Sequence, residues 1–174
     1  NPCQALRNRV PYVPKDRDGE ALMMGASIQN NFCLPSVETL KGRFGFLSPK
    51  KLYQASSKAR EQFSVKSTGV DQLMRALSGG NKQKVVFGKW IADDADVLIL
   101  DCPTRGVDIG VKAAMYQLIY DMKKKGKSIV MISEEMPELI GMADRLLIMK
   151  DGKGNGEFYR KDGYDEHALI ECMI

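Results

Sequence analysis

The chain has 174 residues, 44% of them hydrophobic and 28% charged, with a net charge of +4; that length supports a core of its own and excludes the disordered and collagen-like classes. No run of about 18 apolar residues occurs, so no bilayer-spanning helix is expected. The charge is uneven: residues 1–90 carry 15 Lys and Arg against 6 Asp and Glu, and residues 91–174 carry 11 against 16, yet the cations stand singly or in pairs without interleaved aromatics, which reads as a solvated face and not as a nucleic-acid surface.

In chain order, the start Asn1-Pro2-Cys3-Gln4 has neither an initiator Met nor a basic-then-apolar leader, and the sequence reads as a piece of something longer. Residues 25–75 read as a small helical region set into or beside a sheet. Within it Ser48-Pro49 is an N-cap followed by proline at the first helical position, and Leu52, Ala55, Ala59 and Phe63 repeat at helical spacing. Met23, Met24, Ile28 and Phe32 are candidates for core packing or for an apolar docking surface.

The second half alternates strand and helix patterns. Val97-Leu98-Ile99-Leu100, Ile129-Val130-Met131-Ile132 and Leu146-Leu147-Ile148-Met149 are continuous apolar runs, as parallel strands buried on both faces require. Between the first two, Met115, Leu118, Ile119 and Met122 form one face of a helix that ends in Lys123-Lys124-Lys125 and Gly126, a cationic last turn followed by a left-handed cap. A short helix over Glu134–Met142, a turn at Asp151-Gly152, an edge strand at Gly156–Tyr159 and a terminal helix from Tyr164 complete the pattern. Strands joined by helices in this way predict right-handed crossovers and a parallel sheet, with ligands at the carboxyl ends of the strands. Cys3, Cys33, Cys102 and Cys172 include no C-x-x-C pair and have one histidine, His167, beside them, so four reduced thiols in a cytosolic protein are expected and not a zinc site.

Two stretches carry chemistry. Ser78-Gly79-Gly80-Asn81 stands at the mouth of a helical pattern that continues through Val85, Val86 and Trp90, where unpaired N–H groups and the positive end of the helix dipole suit a phosphate. Taken alone it also reads as a plain N-cap on a flexible turn. Asp101 closes a buried strand, a place for a magnesium-nucleotide ligand or for mere capping.

Together, the run L-S-G-G-N-x-Q and the strand ending D-x-P-T-R-G-V-D-x-G resemble the nucleotide-binding domain of ATP-binding cassette transporters. With Asn81, Arg105-Gly106 and Ser133-Glu134-Glu135-Met136-Pro137-Glu138, the chain is similar to the second cassette of tandem ATPases that drive bacterial monosaccharide importers, from about Tyr12 to Phe158. The resemblance implies an α/β fold, a P-loop NTPase-like and mostly parallel sheet flanked by helices, with a small helical subdomain. It divides the chain into residues 1–20 with the Q-loop, 21–76 as the helical subdomain, and 77–174 as signature helix and α/β core. Ser78, Gly79, Gly80 and Asn81 match the signature motif that contacts the γ-phosphate held by the opposite cassette, Asp101 the aspartate that orders Mg2+, and Asp108 the interface aspartate of the D-loop.

Three matched positions depart from that pattern. Cys102 stands where the family has its catalytic Glu, and a thiol with a pKa near ~8.5 does not replace a carboxylate as general base. Glu134 stands where the switch His belongs, and Lys15 where the Q-loop Gln belongs. No G-x-x-x-x-G-K-[ST] phosphate loop occurs in the sequence. The resemblance therefore implies part of a sugar-importer ATPase, whose signature completes the ATP site of a partner cassette while its own site is degenerate. The alternatives are a non-enzymatic coupling module and a non-transport relative. The expected cofactors are ATP and Mg2+. The expected partners are an N-terminal cassette of the same chain or a second ATPase subunit, membrane permease subunits and, indirectly, a solute-binding protein, with no nucleic acid, at the cytoplasmic face of a bacterial membrane.

Overall fold

The computed structural model describes residues 1–91 and 95–174, with Pro2, Cys3 and Ile91 as backbone alone. It divides into two compact units, Asn1–Ile132 and Ser133–Ile174.

The first unit opens with helix α1 (Pro2–Arg7), held by a reciprocal capping box between Asn1 and Gln4, and strand β1 (Tyr12–Val13). A single π-helical turn spans Arg17–Ala21. Helices α2 (Ile28–Cys33), α3 (Val37–Leu40), α4 (Pro49–Gln62) and α5 (Gly79–Ile91) follow, then strand β2 (Val97–Asp101), helix α6 (Ile109–Lys124) and strand β3 (Ser128–Ile132). The sheet order is β1-β2-β3, parallel throughout, with Val13 beside Leu100 and Leu100 beside Met131.

The parallel pairing of the first two apolar runs agrees with their sequence pattern; their burial agrees only in β2. There Leu98 and Leu100 are buried, whereas in β3 Val130 and Ile132 are each 50% exposed. An apolar run marks a strand suited to two covered faces, but Val130 and Ile132 share one face of β3 and that face is left half exposed.

The helical region packs α2 against α4 and α5, around Ile28, Phe32, Phe63, Val85 and Phe87. Ile28 and Phe32 are thus core residues, which corrects the docking-surface alternative for this quartet; Met23 alone is exposed. Asn31 is fully buried and satisfied, accepting from the Met23 amide at 2.9 Å and donating to the Met23 and Ser27 carbonyls. Helix α6 buries Met115, Ile119 and Met122 and stops as its sequence dictates, at Lys125 and a left-handed Gly126 with φ of 78°.

Lys89 is a buried cation in α5, donating from Nζ to the Ala21 carbonyl at 2.6 Å, and burial pushes its pKa down. Between that lowered pKa and the ~10.4 of an unfolded lysine, the unfolded chain holds the extra proton, so this group makes stability rise with pH. Denaturant titrations are therefore expected to show wild type gaining stability relative to Lys89→Met as pH rises toward 10. The tyrosines with raised pKa oppose this trend but cancel in the difference, and parallel curves for the two proteins would contradict the assignment.

The second unit holds helix α7 (Met136–Met142), strands β4 (Arg145–Lys150) and β5 (Lys153–Tyr159), and helix α8 (Glu166–Met173). Here the sequence expectation needs correction: the third apolar run, β4, has an antiparallel partner, β5, within this unit, where the run pattern pointed to parallel pairing. The turn between them, Asp151-Gly152, has φ of 50° and 76°, which returns the chain directly onto β4. Leu146 and Ile148 face a small core closed by Leu169, leaving Leu147 and Met149 exposed, so the strand is buried on one face only.

Candidate functional site

Helix α5 begins immediately after Ser78, whose carbonyl accepts from the Lys82 amide at 2.9 Å. The Ser78 hydroxyl accepts from Asn81 Nδ2 at 2.9 Å, and Asn81 Oδ1 accepts from the Lys66 amide at 2.9 Å. Asn81 thereby ties the helix start to the segment before it. Ser78 is exposed, with Gly79 and Gly80 half-buried behind it.

Gly80 has a packing reason beside any ligand. A Cβ on Gly80 would lie 2.7 Å from Val111 Cγ2, so α5 and α6 approach too closely there for a side chain. At Gly79 the near neighbour is Arg17, whose Nη1 donates to the Gly79 carbonyl at 3.3 Å. Arg17 Nε pairs with Asp18 at 3.0 Å, and Lys82 Nζ pairs with the same carboxylate at 2.8 Å. The hydrogen bond from Lys82 is the main reason that Asp18 titrates below the usual carboxylate range. Two cations against one anion leave the helix start net positive, in keeping with its dipole. Sequence reasoning missed Arg17 and Asp18, because nothing in their spacing announces a partner more than 60 residues away; the cation flanked by carboxylates in Asp16-Arg17-Asp18 was the available signal.

Gln83, buried in the second turn of α5, donates to the Pro103 carbonyl at 2.6 Å and so brings the helix alongside the loop that follows Asp101. Asp101 ends β2, and its Oδ2 accepts from the Tyr12 hydroxyl at 3.0 Å, across the parallel pairing of β1 and β2. That bond also raises the Tyr12 pKa. Cys102 has φ of 46°, uncommon for a side-chain-bearing residue, and its amide donates to the Ile132 carbonyl at 2.9 Å. Asp108 is the N-cap of α6, accepting from the Val111 amide at 3.0 Å. Lys15 is half-buried in the turn that leaves β1.

Glu134 lies in the second unit and is exposed; its neighbour Ser133 donates to the buried Glu138 and accepts from the Glu135 amide at 3.0 Å. His167 is exposed on α8. Cys33, Cys102 and Cys172 are free thiols, and burial pushes the Cys33 thiol up; the side chain of Cys3 lies outside the described residues.

A carboxylate at a strand end is a hard oxygen donor, which suits Mg2+, a cation that commonly takes one or two carboxylates and completes its shell with waters and nucleotide phosphates. Asp101 meets that minimal requirement; among the described residues no cluster of three or more His, Cys, Asp or Glu forms a self-sufficient metal cage.

A protein-family model described as ABC transporter matches residues 1–105. The chain is 40% identical over 166 residues to the L-arabinose transport ATP-binding protein AraG of Geobacillus stearothermophilus, covering 95% of this chain and 32% of that protein. It is 39% identical over 169 residues to the ribose import ATP-binding protein RbsA of Lactococcus lactis subsp. cremoris (strain SK11), covering 97% and 34%. The chain thus spans about a third of the length of the curated relatives it matches. Among solved structures, the dimeric post-hydrolysis state of the ATP-binding cassette MJ0796 bound to ADP and Pi superposes with a TM-score of 0.75 at 18% identity, over 90% of this chain and 65% of that one. At that identity the likeness establishes the fold, an α/β cassette with a parallel sheet and helices.

Proposed function

The chain belongs to the ABC transporter family, and from that premise we propose that it is part of the ATP-hydrolysing component of a bacterial sugar importer. The observation that carries the reading is the start of α5, where Ser78, Gly79 and Gly80 present a helix N-terminus held in place by Asn81, Arg17 and Lys82. In the proposed assembly this surface receives the triphosphate of an ATP bound to a partner cassette, supplied by the same polypeptide or by a second subunit. Permease subunits, served by a solute-binding protein, hold the pair at the cytoplasmic face of the membrane. The names of the relatives, arabinose transport and ribose import ATP-binding proteins, support the substrate class.

Its own half-site is catalytically degenerate in this reading. Asp101 would hold Mg2+, which when bound would offset phosphate charge, but the next residue offers the Cys102 thiol in place of a carboxylate to take a proton from water. Glu134 supplies an anion where a donor to phosphate is needed, and Lys15 and Asp108 contribute charge at the Q-loop and cassette interface. The test is steady-state ATPase of the full protein carrying Asp101→Asn. Turnover within about twofold of wild type is expected, because the productive site lies on the partner; a loss of 10²-fold or more, the scale of removing a principal electrostatic group, would sink the degeneracy claim.

A further inference from the structure

The proposed function uses Asp101 but gives no part to the side chain that touches it. Strands β1 and β2 pair in parallel, with Tyr12 beside Ile99 and Val13 beside Leu100. Side chains alternate between faces along a strand, so Tyr12, Ile99 and Asp101 share one face of the sheet. Val13, Leu98 and Leu100 turn to the other face and are buried there. Asp101 stands two residues beyond Ile99, roughly 6.6 Å along the strand, a span that a phenol side chain can bridge. The Tyr12 hydroxyl closes that offset, donating to Asp101 Oδ2 at 3.0 Å.

The bond acts on a group that its own backbone leaves loose. The last torsion of an aspartate is an sp3–sp2 rotation with a broad, roughly two-fold profile, so the rotamer alone does not set the plane of the two oxygens. Mg2+ demands near-ideal octahedral geometry and is exacting about that plane. Oδ2 is taken by the phenol, whereas Oδ1 carries no hydrogen bond or ion pair among the described residues and is the oxygen left for a cation. The tyrosine is itself held on both sides. The Pro11 carbonyl before it accepts from the Ile99 amide at 3.1 Å, and Val13 after it is fully buried. The ring is 45% exposed, so water competes for the bond and its effect belongs at the low end of what outer partners of a metal site contribute.

We propose that Tyr12 is a positioning residue for the metal of this half-site, its hydroxyl fixing the Asp101 carboxylate so that Oδ1 is presented to Mg2+. As a donor, the phenol holds one carboxylate oxygen without entering the shell of the metal, which is how outer hydrogen bonds orient ligating carboxylates. The inference rests on the reading of Asp101 as a magnesium ligand and adds the residue that orients it.

The experiment is equilibrium dialysis of the full protein against Mn2+ and ADP, with Mn2+, a stand-in for Mg2+, counted by EPR on both sides of the membrane. The class of Mn2+ sites that Asp101→Asn loses belongs to this half-site, and any class that persists in that variant belongs elsewhere. Tyr12→Phe keeps the ring and removes the hydroxyl. It is expected to weaken the Asp101-dependent class by about tenfold and to leave any other class as in wild type. ADP affinity in EDTA, with no metal, is expected to match between Tyr12→Phe and wild type, as are their melting temperatures, since the ring is retained and exposed. A residue that merely packs would leave the Mn2+ isotherm unmoved. Mn2+ binding by Tyr12→Phe equal to or tighter than wild type, while Asp101→Asn is impaired, overturns the positioning role alone. A parallel loss of ADP affinity without metal also overturns it, because that result describes a distorted site. Asp101→Asn binding Mn2+ like wild type overturns the reading of Asp101 first and the role of Tyr12 with it, so the two failures are told apart by which variant moves.

Discussion

Ser78→Arg in the full protein is expected to lower ATP turnover and sugar uptake together, by about 10²-fold or more, while leaving the fold intact. The Ser78 hydroxyl closes the first turn of α5 through Asn81, and the residue is exposed, so the larger side chain projects outward instead of into the core. An arginine there sets a cation on the positive end of the helix dipole and fills the space a phosphate would occupy. Loss of a preorganised electrostatic contact of this kind costs 10²–10³ in rate, roughly 2.7–4 kcal/mol. Loss of the hydrogen bond from Asn81 to the Ser78 hydroxyl adds a stability cost of about 1 kcal/mol, to be measured separately by thermal melting. Contrasted with the small effect expected for Asp101→Asn, this result places the productive chemistry on the partner's nucleotide. Persistence of both turnover and uptake in Ser78→Arg would instead leave the signature without a function and favour a purely mechanical module.

The second large effect is structural. Gly88→Ala is expected to destabilise the first unit by about 2 kcal/mol, although Ala exceeds Gly in helix propensity by about 1 kcal/mol. The sign follows from packing: a Cβ at Gly88 would stand 2.6 Å from Phe32 Cε1 and 2.6 Å from Phe63 Cδ2, both rings of the helical core. Neither ring has free space to retreat into, since Phe32 and Phe63 are only 5% and 3% exposed. Gly141, in α7, is the control, because its added Cβ meets nothing within 4 Å; Gly141→Ala is expected to stabilise by about 0.5–1 kcal/mol. Chemical denaturation of both variants checks the pair, and a stabilised Gly88→Ala would show that α5 does not pack as described.

The elements written in local chemistry were legible. The stop of α6 at three lysines and Gly126, the proline-led start of α4, the Asp151-Gly152 turn and the apolar runs of β2 and β3 all depend on residues within a few positions of one another, and the structure places each where the pattern expects it. The signature and strand-end motifs were readable for the same reason: a helix start and a strand end are local features, and their order along the chain carries the family resemblance.

What the sequence by itself determined is the set of elements and the chemical type of each site residue. Tertiary structure alone decided burial, strand partnership and the second reasons for residues already noticed. Val130 and Ile132 are as apolar as Leu98 and Leu100, yet the face of β3 they share is left half exposed. The run at β4 resembles a parallel strand until its tight turn sends β5 back beside it. Gly80 suggests phosphate access in sequence and proves also to be where Val111 of α6 leaves no room for a Cβ. Arg17 and Asp18 join the start of α5 only in three dimensions. In each case the deciding quantity is the distance to an atom far away in the chain, which local propensity and periodicity do not encode.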